Sequence, residues 1–382
     1  MSNEDHIIPK EAEDENYEGD EINPSLFLFA KYITIYLQPV ICTAGLLGNF
    51  ISFCVFLSKG MRKISSNLYL AALSGSSFGF NVVLFSQWLE FVDFPIFHMQ
   101  VFCQAIVYLA YIFSFLSVWL IVCITVENYI VTFHLSKAVI YCTVFRAKLV
   151  IGLLITYSVI LYCGQFWTTS AIEVSENYTM CTEVNKYAQL NRIYSFWDTI
   201  TTMVLPITIT SVLIVAILSK NLCVSKTIDG RDSSIYRRLS KKQKCLVRIT
   251  RVLLAISLTF VILSGPTHAN KLRHLILTEL NGAQRPYTLS DRILQQIFQI
   301  IYYLSSCLNI VYYLTWSHNF RKEIRRLLCL KPENSNREIR GIEMRSKTKS
   351  NNEPKQMEND AGNGHQTIVD KSTNPKSQIT ML

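Results

Sequence analysis

The stretch VFCQAIVYLAYIFSFLSVWLIVCITVENYIVT, residues 101–132, decides the fold. Its one charged residue, Glu127, stands near its end. An apolar run of this length exceeds the roughly 20 residues needed to cross the hydrocarbon core of a bilayer. A backbone in lipid has no water to bond, so such a segment must be an α-helix. Working outward, six further blocks read the same way: Phe27–Leu57, Leu68–Phe91, Lys148–Phe166, Tyr194–Leu218, Leu246–His268 and Ile293–Trp316. Composition agrees. Half of the 382 residues are hydrophobic and 17% are charged, where a soluble chain carries about a quarter. The expected fold class is an all-α membrane protein, a seven-transmembrane-helix bundle.

Charge sets the orientation. The net charge of +9 comes from basic segments beside the blocks, which implies a lipid bilayer as partner and no nucleic acid. Lys59, Arg62 and Lys63 follow the first block, and Lys137 and Arg146 follow the third. The basic run from Lys220 to Lys244 follows the fifth, and Arg321, Lys322, Arg325 and Arg326 follow the seventh. The alternate segments carry fewer, although Lys271, Arg273, Arg285 and Arg292 follow the sixth. The N-terminal segment is acidic, with Glu11, Glu13, Asp14 and Glu15. The positive-inside rule then places the N-terminus outside the plasma membrane and the C-terminus in the cytosol. The first block serves as the insertion signal. The expected organisation is an acidic disordered tail over 1–25, a helical domain over 26–330 and a disordered cytoplasmic regulatory tail over 331–382.

Asn177-Tyr178-Thr179 is a glycosylation sequon in an expected external loop. Cys103 and Cys181 fall on the same oxidising side. They can be two free thiols or one disulfide, and the shared compartment favours the bond. The remaining cysteines lie within blocks or toward the cytosol and are expected free.

From Phe27 to Leu328 the chain resembles the rhodopsin-like (class A) G-protein-coupled receptors. Gly48-Asn49, Asn67-Leu68-Tyr69-Leu70-Ala71-Ala72-Leu73, Leu205-Pro206, and Phe260 with Pro266 stand in the family's order. Cys103 precedes Glu127-Asn128-Tyr129 at the spacing of the family's disulfide cysteine and its Asp/Glu-Arg-Tyr triplet. Lys137-Ala138, Cys142-Thr143 and Arg146-Ala147-Lys148 resemble invertebrate neuropeptide receptors and thyrotropin-releasing-hormone-type receptors. Asn309-Ile310-Val311-Tyr312-Tyr313 stands for Asn-Pro-x-x-Tyr, and Asn319-Phe320-Arg321 opens an amphipathic eighth helix. The resemblance implies a G-protein-coupling end at Glu127, Asn128, Tyr129 and Tyr313, and palmitoylation at Cys329.

Several switch residues of the family are replaced. Ser77 stands for the sodium-holding Asp, which removes a costly intramembrane charge. Asn128 stands for the triplet Arg and has neither its reach nor its charge. Ile155, Ile214, Ser264 and Ile310 stand for the family's fourth-helix Trp, fifth-helix Tyr, sixth-helix Trp and seventh-helix Pro.

Ala110 occupies the place where amine receptors carry Asp, and the seventh block has no Lys for retinal. The outer helix halves instead offer Gln87, Glu90, Gln104, Tyr108, Tyr111, Asp198, His268, Lys271, Gln295, Gln299 and Tyr303 as candidate ligand contacts. Aromatic bodies with both signs of charge suit a short extracellular peptide. For any one tyrosine helix packing is the plainer role, and Lys271 and Arg273 can snorkel to the headgroups. Asp198, inside an apolar helix, is the expected anchor.

Enzyme motifs, metal-ligand spacings and phosphate-binding loops are missing from the sequence, so no catalytic residue, metal or cofactor is expected. Two functions of one fold remain. The first is a neuropeptide receptor that signals through a heterotrimeric G protein. The second is a chemoreceptor or ligand-binding receptor with weak or no coupling, which Asn128 and Ser264 favour. A transporter would show inverted repeats, and none is seen. Ser346, Thr348 and Ser350 offer phosphorylation sites for arrestin, and Thr380-Met381-Leu382 fits a PDZ domain.

Overall fold

Among the described residues, seven helices are long and apolar enough to cross a membrane: Leu28–Leu57, Ser65–Glu90, Gln100–Phe133, Val144–Thr168, Asn185–Lys220, Thr250–Arg273 and Ile293–Trp316, numbered spans 1 to 7. They come from a computed structural model that describes residues 24–92, 94, 99–175, 178–229, 241–280 and 289–328. All seven expected blocks are there. Span 5 starts well before the expected Tyr194, because its first turns (Ala188, Gln189, Asn191, Arg192) are too polar to register as apolar sequence.

The bundle is apolar outside and buries polar side chains among its apolar core. Phe145, Leu149, Leu153 and Ile160 form an exposed stripe at helical spacing on span 4, a face suited to lipid. Asn49, Ser52, Ser77, Asn81, Ser264 and Asn309 are buried. Helices in lipid gain little hydrophobic drive from one another, so they associate through close packing and polar contacts. Gly45 shows the close approach: a Cβ there would stand 2.4 Å from Asn81 Oδ1. Gly79 lies as tightly under the Phe113 ring, 2.4 Å from where its Cβ would be.

Span 3 is the hub. It packs on spans 2, 4, 5 and 6, while span 7 closes the ring between spans 6 and 1. Its Phe115, Leu120 and Ile124 are fully buried.

Prolines in spans 1 and 5 produce the same local structure. Each follows a π-helical turn, Ile33–Leu37 before Pro39 and Thr199–Val204 before Pro206. A proline has no N–H to return to the preceding turn, which leaves a carbonyl unpaired. In both places an indole from a neighbouring span donates to a carbonyl of the π turn. Trp88 Nε1 donates to the Ile35 carbonyl at 3.1 Å, and Trp119 Nε1 donates to the Thr201 carbonyl at 2.9 Å.

Two elements were not expected. A hairpin joins spans 4 and 5: β1 (Thr169–Ser175) runs antiparallel to β2 (Tyr178–Glu183), with Ala171 opposite Cys181. A short helix, Leu135–Tyr141, lies between spans 3 and 4. The amphipathic helix after span 7 forms over His318–Leu327. Ser317 caps it by accepting the Phe320 N–H at 3.3 Å, and the buried Phe320 ring sits 5.3 Å from Phe56 and from Tyr313. Arg321 donates to the Leu314 and Thr315 carbonyls at 2.7 and 2.6 Å, a cation at the C-terminus of span 7.

Candidate functional site

At the hairpin end the helices part around a cavity of about 700 Å³. Cys103, at the head of span 3, is bonded to Cys181 in β2. Gln100 Oε1 accepts from Ser170 Oγ and the Ala171 N–H, both at 3.0 Å, and Gln104 Nε2 donates to the Thr169 carbonyl at 3.2 Å. These ties hold the hairpin beside the cavity and bring Glu183, the last residue of β2, into its wall.

Asp198 is the last α-helical residue before the π turn of span 5 and lines the cavity. Its carboxylate accepts from Tyr162 OH at 2.6 Å, and the buried Tyr162 ring stacks 5.2 Å from Tyr111. Lys271 opens to the same space from span 6 and interacts electrostatically with Asp198. Tyr302 and Tyr303 are buried in the floor, each with its ring centre about 6 Å from Phe80 (6.1 and 5.9 Å). His268 lies 6.0 Å from Tyr302, ring to ring.

Of the sequence-derived candidates, Tyr111, Asp198, His268, Lys271, Gln299 and Tyr303 line this cavity, as does Gln87. Four others do not: Glu90, Gln104, Tyr108 and Gln295. Gln104 is occupied with the hairpin. Tyr108 turns toward span 4, donating to the Val159 carbonyl at 3.0 Å and packing 4.5 Å from the Phe166 ring. Gln295 lies behind the wall, accepting from Asn270 at 2.9 Å and donating to Gln299 at 3.2 Å, so it positions a lining residue. Arg273 pairs with Asp291 at the head of span 7. Sequence reasoning missed Glu183, Asn191, Arg192, Thr202, Thr267 and Tyr302. Asn191, Ser195, Asp198 and Thr202 recur at helical spacing, a polar stripe that an apolar-block search passes over.

Midway along the bundle, Ser77, Ser117, Ser305, Ser306 and Asn309 line a void of about 20 Å³, room for one water. No carboxylate lines it. Among the described residues no cluster of His, Cys, Asp or Glu could hold a metal ion.

At the opposite end hydrogen bonds tie the helices to one another. Glu127 Oε1 accepts from Ser65 Oγ, and Glu127 Oε2 has no hydrogen-bond partner. Burial and the neighbouring Glu127 carboxylate push the thiol of Cys142, between spans 3 and 4, up to about 11. Asn128 is buried and its Nδ2 donates to the Thr250 carbonyl of span 6 at 3.4 Å. Thr125 and Ser257 share a second bond between spans 3 and 6, at 2.6 Å. Lys220, from span 5, donates to the Thr132 carbonyl at 2.6 Å and sits 4.4 Å above the Phe133 ring. It brings a cation to the C-terminus of span 3, which the family resemblance did not anticipate.

Tyr129 stacks on Phe133 at 4.6 Å. Tyr313 is fully buried against Phe56 at 4.8 Å and against Phe320 of the terminal helix. Asn177, Cys329, Arg237, Arg238 and both tails lie outside the described residues, as do the side chains of Lys241, Lys242, Lys244 and Arg248.

The family model for the seven-transmembrane receptors (rhodopsin family) matches residues 48–313. Somatostatin receptor type 4 of Rattus norvegicus is 24% identical over 307 residues, covering 79% of this chain and 74% of the relative. Somatostatin receptor type 2 of Mus musculus is 20% identical over 82% of the chain and 81% of the relative. The thyrotropin-releasing hormone receptor of Gallus gallus is 30% identical, but over only 37% of the chain and 36% of the relative. The match takes in most of the bundle, from the Gly48-Asn49 pair of span 1 to Tyr313 of span 7, and the chain belongs to the rhodopsin family of seven-transmembrane receptors.

Proposed function

We propose that this receptor takes a short peptide into the hairpin-end cavity and relays its binding to a heterotrimeric G protein at the opposite end. The observation that carries the reading is the cavity itself. It is large enough for several residues of a peptide, with Glu183 and Asp198 against Arg192 and Lys271, and aromatic rings between them. The relatives named as receptors for somatostatin and thyrotropin-releasing hormone support it. The hairpin end, with Asn177 as a glycan site, faces the extracellular side. The basic end faces the cytosol, where the tail serves arrestin and a PDZ partner.

Asp198 anchors a basic side chain or amino terminus of the peptide. Losing a buried charge partner costs about 2–5 kcal/mol. Asp198→Asn keeps an acceptor for Tyr162, so surface expression should hold while peptide potency drops at least thirtyfold, roughly the lower bound of that range. The assay is a peptide-library screen in cells carrying a promiscuous G protein, followed by dose–response curves for the hits. Unchanged potency in Asp198→Asn removes the anchor role.

One observation favours a second reading, a receptor that binds but couples weakly. Asn128 offers the G protein no charge and is bonded to span 6.

A further inference from the structure

The charged side chains lining the cavity are Glu183, Arg192, Asp198 and Lys271. The two bases differ. Arg192 already has a partner within the protein. Lys271 is exposed where it lines the cavity, and among the described residues it makes no hydrogen bond and no ion pair. Snorkelling does not account for it. A snorkelling side chain leaves the bundle for the headgroups, whereas Lys271 lines the cavity and Arg273, two residues on, is the base that pairs at the head of span 7. A cation inside a membrane span without a counter-ion in contact is costly, and it marks a group kept for a function.

Lys271 and Asp198 feel each other's charge. They do not join in an ion pair, since Asp198 is tied to span 4 by the Tyr162 hydroxyl at 2.6 Å. Two opposite charges therefore open on one space, near enough to interact and not in contact. This arrangement narrows the guest. A lone cation at Asp198 is repelled by Lys271, and a lone anion at Lys271 is repelled by Asp198. A guest with a carboxylate beside a cationic group meets both charges with their opposites. Its carboxylate also accepts the strong, charge-assisted hydrogen bonds that an ammonium donates. A carboxamide oxygen accepts from Lys271 but brings no charge to balance it.

We propose that Lys271 receives a carboxylate of the peptide, next to the cationic group received by Asp198, so that the ligand class is a dipolar peptide. This rests on the peptide reading above and adds the group that span 6 selects. The carboxylate belongs either to an acidic side chain or to a free C-terminus, and the experiment separates the two.

The test uses the purified full-length receptor and needs no G protein. A tetrapeptide library with free C-termini is passed over it, and retained peptides are identified by mass. Each hit is resynthesised with one carboxylate at a time turned into a carboxamide, at the side chain or at the terminus, and titrated. One of these changes should weaken binding at least about tenfold, which identifies the carboxylate and its source. In Lys271→Gln that loss should shrink below about threefold, while Lys271→Arg, which keeps the cation, should retain it. Lys271→Met, which keeps the aliphatic stem without the charge, takes the place of Lys271→Gln if that variant fails to fold. If no carboxylate-to-carboxamide change weakens binding to the wild type, the subsite is overturned and the peptide reading stands. An undiminished carboxylate preference in the neutral variants overturns the assignment to Lys271. Retention of no peptide overturns the peptide reading and the subsite together.

Discussion

Replacing Trp119 by Phe removes one hydrogen bond in the middle of the bundle. A phenyl ring keeps an aromatic face toward Phe115, 6.0 Å away, while the indole N–H is lost together with part of the ring volume. That N–H is the 2.9 Å donor to the Thr201 carbonyl. The Leu205 N–H bonds five residues back to the Ile200 carbonyl, so the next bond of the π turn would run from residue 206 to Thr201. Residue 206 is proline and cannot make it. Without the indole, the Thr201 carbonyl loses this partner. Interhelical bonds of this kind are worth about 0.6–1.7 kcal/mol, and an unpaired carbonyl costs a similar amount, so Trp119→Phe should cost about 1–2 kcal/mol. In a bundle of this size that lowers the melting temperature by roughly 2–8 °C. The assay is thermal unfolding of the purified receptor, run as a double-mutant cycle with Pro206→Ala. Alanine at 206 restores an N–H for the Thr201 carbonyl, so in that background Trp119→Phe should cost less by about 0.6–1.7 kcal/mol, the worth of the bond. If the two costs simply add, the indole acts as packing volume and the argument from the proline fails.

Three further outcomes follow from the same geometry. Cys103→Ala and Cys181→Ala should lower surface delivery or peptide binding to a similar extent, because each frees the same hairpin from span 3; normal binding by both would show that the disulfide does not hold the site. Exchanging sodium for choline at constant ionic strength should leave peptide affinity within about fivefold, since no carboxylate lines the mid-bundle void; a larger shift, beyond about 1 kcal/mol, argues for an ion there. Asn128→Arg should raise the maximal response at matched surface expression without changing affinity, by replacing a neutral tie to Thr250 with a cation that can pair with Glu127; a lower maximum means the local packing has adapted to Asn128.

The sequence by itself determined the seven spans, because a membrane allows only one backbone solution to a long apolar run. Val101–Thr132 has to be helical wherever it packs. The amphipathic helix opened by Asn319-Phe320-Arg321 was equally legible, since its pattern is local. Asp198, His268 and Lys271 were found because an ionisable or imidazole group among apolar residues stands out before any contact is known. Only the tertiary structure decided which way each side chain turns. Tyr108 and Tyr111 lie less than one helical turn apart on span 3, yet one faces span 4 and the other the cavity. That difference is set by how spans 3, 4 and 5 rotate against one another. Glu183 and Asn191 became part of the site only because the Cys103–Cys181 link holds β2 beside the cavity and the polar first turns of span 5 line it. The partners of the π-turn carbonyls were likewise hidden: Pro39 and Pro206 announce that a bond is missing, but not that Trp88 and Trp119 donate into those turns from other helices. A local pattern reports what a segment must become in lipid, and contacts between segments far apart in sequence report what it then meets.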